Sequence, residues 1–260
     1  MKKFWLNRHL LLQMVKREIL GRYRGSMMGV AWSFLHPLLM LIVYTFVFGV
    51  IFKARWQSSA TTEDFALNLF AGLIVFNIFA ECINRSCGLV LENVSYVKKV
   101  VFPLEILSPC LLIASLFHAL VSIIILIVFF IFVHGIPPWT VVLLPLIWLP
   151  FIMLILGLSW FLSSLGVFLR DIGQVVGVSV TATLFLSPIF YPVSALPESV
   201  RNWIFLNPLS WVISETRNVL LLGGTPDWFV GSIYAGVSFC ILMLGYFWFI
   251  KTDKGFADVI

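Results

Sequence analysis

From Met27 to Phe52 the chain carries no Asp, Glu, Lys or Arg, and the stretch just before that run is basic. At ~1.5 Å per helical residue, the uncharged run is long enough to cross the ~30 Å hydrocarbon core of a bilayer. Ahead of it, Leu12, Val15, Ile19 and Tyr23 recur at spacings of three and four and so share one helix face. Lys16, Arg17, Arg22 and Arg24 occupy the remainder of that helix. An apolar stripe backed by cations describes a helix over 4–24 lying in the plane of a membrane surface. Each cation near an anionic leaflet contributes roughly 1 kcal/mol. Gly25-Ser26 marks the bend between this surface helix and the first span.

The same character extends along the chain. Of its 260 residues 61% are hydrophobic and 11% charged, with a mean hydropathy of +1.04, whereas soluble domains carry about 25% charged residues. The sequence therefore predicts an all-α polytopic membrane protein, a single transmembrane domain over 1–260, because no polar stretch is long enough to bury a separate core. Spans are expected at about 30–52, 66–90, 106–133, 140–167, 175–191 and 228–250. Six crossings put both termini on one side. The outer segments keep only Lys53, Arg55, Arg201 and Arg217 of the 17 Lys/Arg, so that side is cytoplasmic. The net charge of +5 belongs to these flanks; with no basic groove or aromatic platform, nucleic acid is not an expected partner. Cys82, Cys87, Cys110 and Cys240 show neither metal-ligand spacing nor a disulfide framework and are read as small buried hydrophobes. The basic start does not read as a cleavable signal, since no small-residue cleavage site follows the apolar run.

Several polar features interrupt the spans. Asn77, Glu81 and Asn84 give the second span one polar face in its inner half, with Arg85 positioned to pair with Glu81 at i,i+4. Ionisable groups in a span face a bundle interior or a wet cavity; polar packing between helices is the competing reading. Ser179, Thr183 and Ser187 form a hydroxyl stripe on the fifth span, open either to a passing sugar or to their own helix carbonyls. Tyr44, Phe48 and Phe52 line one face of the first span, where rings either stack on sugar faces or pack neighbouring helices. Between spans two and three, Val94, Val97 and Val101 share a face of a short helix with Lys98 on another, before Pro103 stops it. That segment suits either docking on a partner protein or an interfacial loop. From 192 to 226, four prolines punctuate apolar runs too short to span, which read as two re-entrant or interfacial helices.

Much chemistry is missing from the sequence. No G-x-x-x-x-G-K-[ST] run cradles a nucleotide's phosphates. No serine sits in a G-x-S-x-G elbow, and His9, His36, His118 and His134 are scattered. No catalytic residues, metal ligands or bound cofactors are expected.

An ordered set of motifs carries a resemblance. Arg17-Glu18, Arg22-Tyr23-Arg24-Gly25-Ser26, Gly29, Trp32, Pro37-Leu38 and Val43-Tyr44-Thr45-Phe46-Val47-Phe48 open it. Val100-Val101-Phe102-Pro103, Phe168-Leu169-Arg170-Asp171, Ser187-Pro188-Ile189-Phe190-Tyr191-Pro192 and Asn207-Pro208-Leu209 continue it. In this order they resemble the permease subunits of polysaccharide-exporting ABC transporters, and most closely the O-antigen exporters. The resemblance implies the type-2 ABC exporter fold: six spans, an N-terminal amphipathic interface helix and two short re-entrant helices before the last span. It implies a homodimer paired with two copies of a separate ATPase subunit that binds ATP and Mg, moving undecaprenyl-diphosphate-linked polysaccharide across the bacterial inner membrane. The segment 92–102, with Val94, Val97, Lys98 and Val101, becomes the coupling helix against the ATPase. Arg22 and Arg24 become contacts for the lipid diphosphate, and the first and fifth spans the channel wall. A permease for capsule or teichoic-acid polymers, one for a small hydrophobic drug or lipid, and a glycan-modifying membrane enzyme are the alternatives.

Overall fold

The structure, a computed structural model, describes residues 7–51, 56, 61–97, 102–193, 196, 197, 199, 203, 204 and 206–259. Within them the chain is helical. α1 (Arg8–Gly21) is followed by α2 (Trp32–Tyr44), which opens from a 3-10 turn and runs on as a π-helical turn Thr45–Ile51. α3 (Thr62–Ser86) leads through a 3-10 turn into the short α4 (Val94–Val97). α5 (Leu107–His134), α6 (Leu144–Phe168) and α7 (Ile172–Leu186) follow. α8 (Pro208–Arg217) continues as the π-helical turn Asn218–Leu222, and α9 (Trp228–Thr252) and α10 (Phe256–Val259) complete the chain.

Five of these stretches are long and apolar enough to cross a membrane: Gly29–Phe48, Thr62–Ser86, Leu104–His134, Trp139–Phe168 and Trp228–Gly255. The remaining expected crossing differs. α7 is apolar but only 15 residues long, about 22 Å at the helical rise and short of the hydrocarbon core. It stops because Pro188 forces Ser187 into extended geometry (φ −92°, ψ 149°).

Helix ends are set by local chemistry. Thr61 and Asp64 form a capping box at the start of α3, the Asp64 carboxylate accepting from Thr61 N at 2.8 Å. Asp227 caps α9 by accepting from Phe229 N and Val230 N. Asn207, followed by Pro208, caps α8.

α3 is the hub. The apolar window of that helix is 78% buried, against 11% and 17% for the first and last spans. It packs on α5, α6, α7, α8 and the π-helical turn after α2. α9 leans almost wholly on α6 through a glycine seam. A Cβ on Gly157 would lie 2.5 Å from Ile241 O, and one on Gly245 would strike the Gly157 carbonyl. Small residues let two backbones approach this closely where no hydrophobic force drives helices together.

The two ends of the bundle are distinguishable. Phe256 of α10 joins Val90, Trp160, Val167 and Phe249 in one cluster, at the same end as α1 and the α3–α4 turn. The described parts of both termini therefore lie together, at what is called the inner end. At the outer end, α8 and its π-turn are bound to the start of α6: Thr140 Oγ1 donates to Val219 O at 2.7 Å and Trp148 Nε1 to Thr216 Oγ1 at 3.1 Å. In the region of the first expected re-entrant helix, Ser199, Trp203 and Ile204 are described as helical.

Candidate functional site

α1 meets α5 along Leu11, Met14, Val15 and Ile19, while Leu12 is 62% exposed. Leu12 lies about 100° around the helix from Leu11, so the contact stripe is rotated from the one read in the sequence. That rotation delivers the polar side chains of α1 to other elements. Arg17 donates to the Tyr96 hydroxyl and lies 5.3 Å from the centre of its ring, with Asn93 Oδ1 at 3.5 Å. Tyr96 in turn stacks on Phe102 at 4.4 Å between centroids. α1 is thereby joined to the expected coupling segment. Val94 is half-buried and Val97 closes α4, while Lys98 and Val101 lie outside the described residues.

Further along α1 the ion pairs begin. Glu18 pairs with Arg85 at 2.6 Å, and Arg22 pairs with Glu81. The anticipated Glu81–Arg85 pair exists but is the long edge of the network at 3.9 Å. Ser115 of α5 donates to the second oxygen of Glu81 at 3.3 Å. Two guanidiniums and two carboxylates neutralise one another, with Glu81's side chain only 18% exposed. After α1 the chain turns at Gly25 (φ +86°), a conformation that suits glycine, and Ser26 Oγ accepts from Gly29 N. The turn leaves Tyr23 facing His118 of α5: the rings meet edge-on at 5.8 Å, with the hydroxyl 3.3 Å from Nδ1. Burial pushes the Tyr23 phenol up from its ordinary value, so its O–H stays available as a donor.

These groups border a cavity of about 660 Å³ between the end of α1, the start of α2, the inner half of α3 and α5. Arg22, Asn77, Glu81 and Asn84 all line it, joined by Tyr23, Ser26, Ser33, His36, Arg85, Ser115, His118 and Ser122. The polar face of the second span thus meets the cation read from the surface helix. Arg24 is exposed and outside this lining. Such a space, lined by amides and hydroxyls, suits a hydroxyl-rich ligand, and an anionic group would reach Arg22 by taking the place of Glu81.

The other named residues lie elsewhere. Ser179 Oγ donates to Val175 O, Thr183 to Ser179 O and Ser187 to Thr183 O, all within 2.8 Å, so each hydroxyl proton of the stripe is committed to its own helix. Tyr44 and Phe48 are half-buried in an aromatic group, Phe48 stacking on Phe65 at 5.5 Å and lying 6.1 Å from Phe190. Phe52 lies outside the described residues. Cys82, Cys87 and Cys110 are buried, whereas Cys240 is exposed on α9. Among the described residues no cluster of His, Cys, Asp and Glu could hold a metal ion. Tyr23, Glu18 and His118 carried no site role in the sequence reading, and Ser115 was not singled out, for their partners are remote in the chain.

The profile of the ABC-2 type transporter family matches residues 9–221. The chain belongs to that family. Relatives match along most of its length. An O-antigen export system permease protein RfbA of Myxococcus xanthus is 27% identical over 100% of this chain and 98% of its own. One of Klebsiella pneumoniae is 28% identical over 96% and 95%. A polysialic acid transport protein KpsM of Escherichia coli is 25% identical over 80% of this chain and 79% of its own. The chain is therefore a multi-pass ABC-2 permease, and the cavity is the candidate contact of this permease with its cargo.

Proposed function

We propose that this chain is the channel-forming membrane subunit of an ATP-driven exporter, moving undecaprenyl-diphosphate-linked polysaccharide of the O-antigen kind across the bacterial inner membrane. It works as a homodimer with two copies of a separate ATPase subunit, which binds ATP and Mg, and both its termini are cytoplasmic. The observation that carries this reading is the inner-end cavity, where Arg22 and Arg85 stand beside Asn77, Asn84 and several hydroxyls. Relatives named for O-antigen export along the full chain support the cargo class. Guanidiniums pair with phosphate oxygens, here in exchange for the carboxylates of Glu81 and Glu18, and amides and hydroxyls suit a glycan. The link from Arg17 to Tyr96 and Asn93 gives a route by which motion of the coupling segment reaches Arg22 on the same helix.

A capsule-type polymer is the second reading, favoured by the likeness to the polysialic acid transport protein. The test is ATP hydrolysis by the reconstituted complex of this chain with a co-expressed ATPase. Stimulation by a diphosphate-linked glycan and not by the unlinked glycan supports the O-antigen reading. Stimulation by an acidic polymer carrying no diphosphate favours the capsule reading, and stimulation by a small hydrophobic compound alone overturns both. A chain that is stable and transports without any ATPase overturns the assembly.

A further inference from the structure

Arg217 closes α8 at the outer end and is 5% exposed, yet among the described residues no carboxylate pairs with it. Each of its three nitrogens donates to a backbone carbonyl: Nε to Asn68 O at 2.8 Å, Nη1 to Pro188 O at 2.5 Å and Nη2 to Ile189 O at 2.9 Å. The guanidinium also lies 4.3 Å from the centre of the Trp56 ring. Gly72 makes room for it, since a Cβ there would sit 2.6 Å from Nη2. A buried cation with no counter-ion is costly, and an apolar side chain of similar volume would fill the space more cheaply. What the guanidinium supplies is direction, because its planar fork of donors fixes several acceptors at once.

Those acceptors lie on α3 and on the segment just past α7. A second tether reaches the same place, Asn207 Nδ2 donating at 2.9 Å to the buried Ser187 Oγ. The outer end of α7 is thus fastened to α8 twice and through Arg217 to α3. The body of α7 is held differently: Val176 and Val180 are buried in the core where the helix packs on α3, while Val175, Val178, Thr181 and Phe185 on the other face are exposed, as are Arg170 and Asp171 where the helix begins. A rod hydrogen-bonded at one end and held elsewhere by non-directional apolar packing turns about the bonded end.

We propose that Arg217 is the positioning residue that pins the outer end of α7 and makes that end the pivot about which the helix swings. The inner end then sweeps the larger arc, while the outer end stays joined to α8. The proposal goes beyond the transport reading and does not depend on which cargo is carried.

Spin-label distances on the reconstituted full chain test it. The background is Cys240→Ser, diluted with unlabelled protein so that each assembly holds one labelled protomer. One label pair reports the outer end (Leu186→Cys with Val142→Cys) and another the inner end (Gln174→Cys with Lys251→Cys). The outer distribution is expected to be narrow and the inner one broad. Arg217→Gln broadens the outer distribution about twofold and leaves the inner one as it was. Arg217→Lys broadens it less, one ammonium reaching fewer carbonyls. Gly72→Ala, which displaces the guanidinium while keeping its charge, acts in the same direction, as does Asn207→Ala. If Arg217→Gln does not accumulate in the membrane, these two variants decide. An outer distribution unmoved by them, or equal broadening of both pairs, overturns the proposal.

Discussion

Replacing Gly157 by alanine adds one methyl group, yet the structure places that methyl 2.5 Å from the carbonyl oxygen of Ile241 in α9. An ordinary carbon–oxygen contact is about 3.4 Å, so α6 and α9 must separate by roughly 0.9 Å along the seam. A gap of that size forfeits up to about half the dispersion energy of each facing atom pair, itself ~0.1–0.2 kcal/mol. Over a few dozen pairs the loss is about 2–3 kcal/mol, in line with measured overpacking costs. Gly245→Ala, which drives its Cβ into the Gly157 carbonyl, acts through the same seam. Gly236 lies on the same helix with nothing within 4 Å of its Cβ position. Gly236→Ala is therefore expected to stabilise by about 0.5–1 kcal/mol through helix propensity alone. Denaturant unfolding of the purified variants in one detergent measures both signs. Equal effects at 157 and 236, or a stabilising Gly157→Ala, would refute the close approach of α6 and α9.

Further outcomes follow from the inner-end network and the caps. A double-mutant cycle of Arg22→Gln and Glu81→Gln, read by thermal unfolding, should give a coupling of about 1–2 kcal/mol, between the values for exposed and buried pairs; additivity would place the two side chains apart. Arg17→Ala should leave the permease–ATPase complex assembled but weaken cargo stimulation of its ATP hydrolysis, and unchanged stimulation argues against α1 as the link. Thr61→Ala should cost about 1 kcal/mol through loss of the α3 cap, with Thr61→Ser close to neutral in the same unfolding assay.

Hydropathy and charge bias are local properties, summed residue by residue, and they were enough to read the membrane class and most helix positions here. The N-terminal helix was legible from the spacing of Val15 and Ile19 among Arg and Lys, and the polar face of α3 from Asn77, Glu81 and Asn84. The stop of α7 was written in Ser187-Pro188, but its shortness was hidden because the apolar character continues through Ile189 and Phe190.

Partnership was another matter. The sequence offered Arg85 as the natural mate of Glu81, four residues away, and packing gave Glu81 to Arg22, 59 residues distant. His118 was one scattered histidine until Tyr23 was set against it across 95 residues. Arg217 counted only as a cation on the outer side, and the fold alone buries it among carbonyls from two parts of the chain, α3 and the segment just past α7. Periodicity says which face of a helix is polar. Which neighbour that face meets depends on how helices rotate and cross, and that is settled by close packing across the whole bundle.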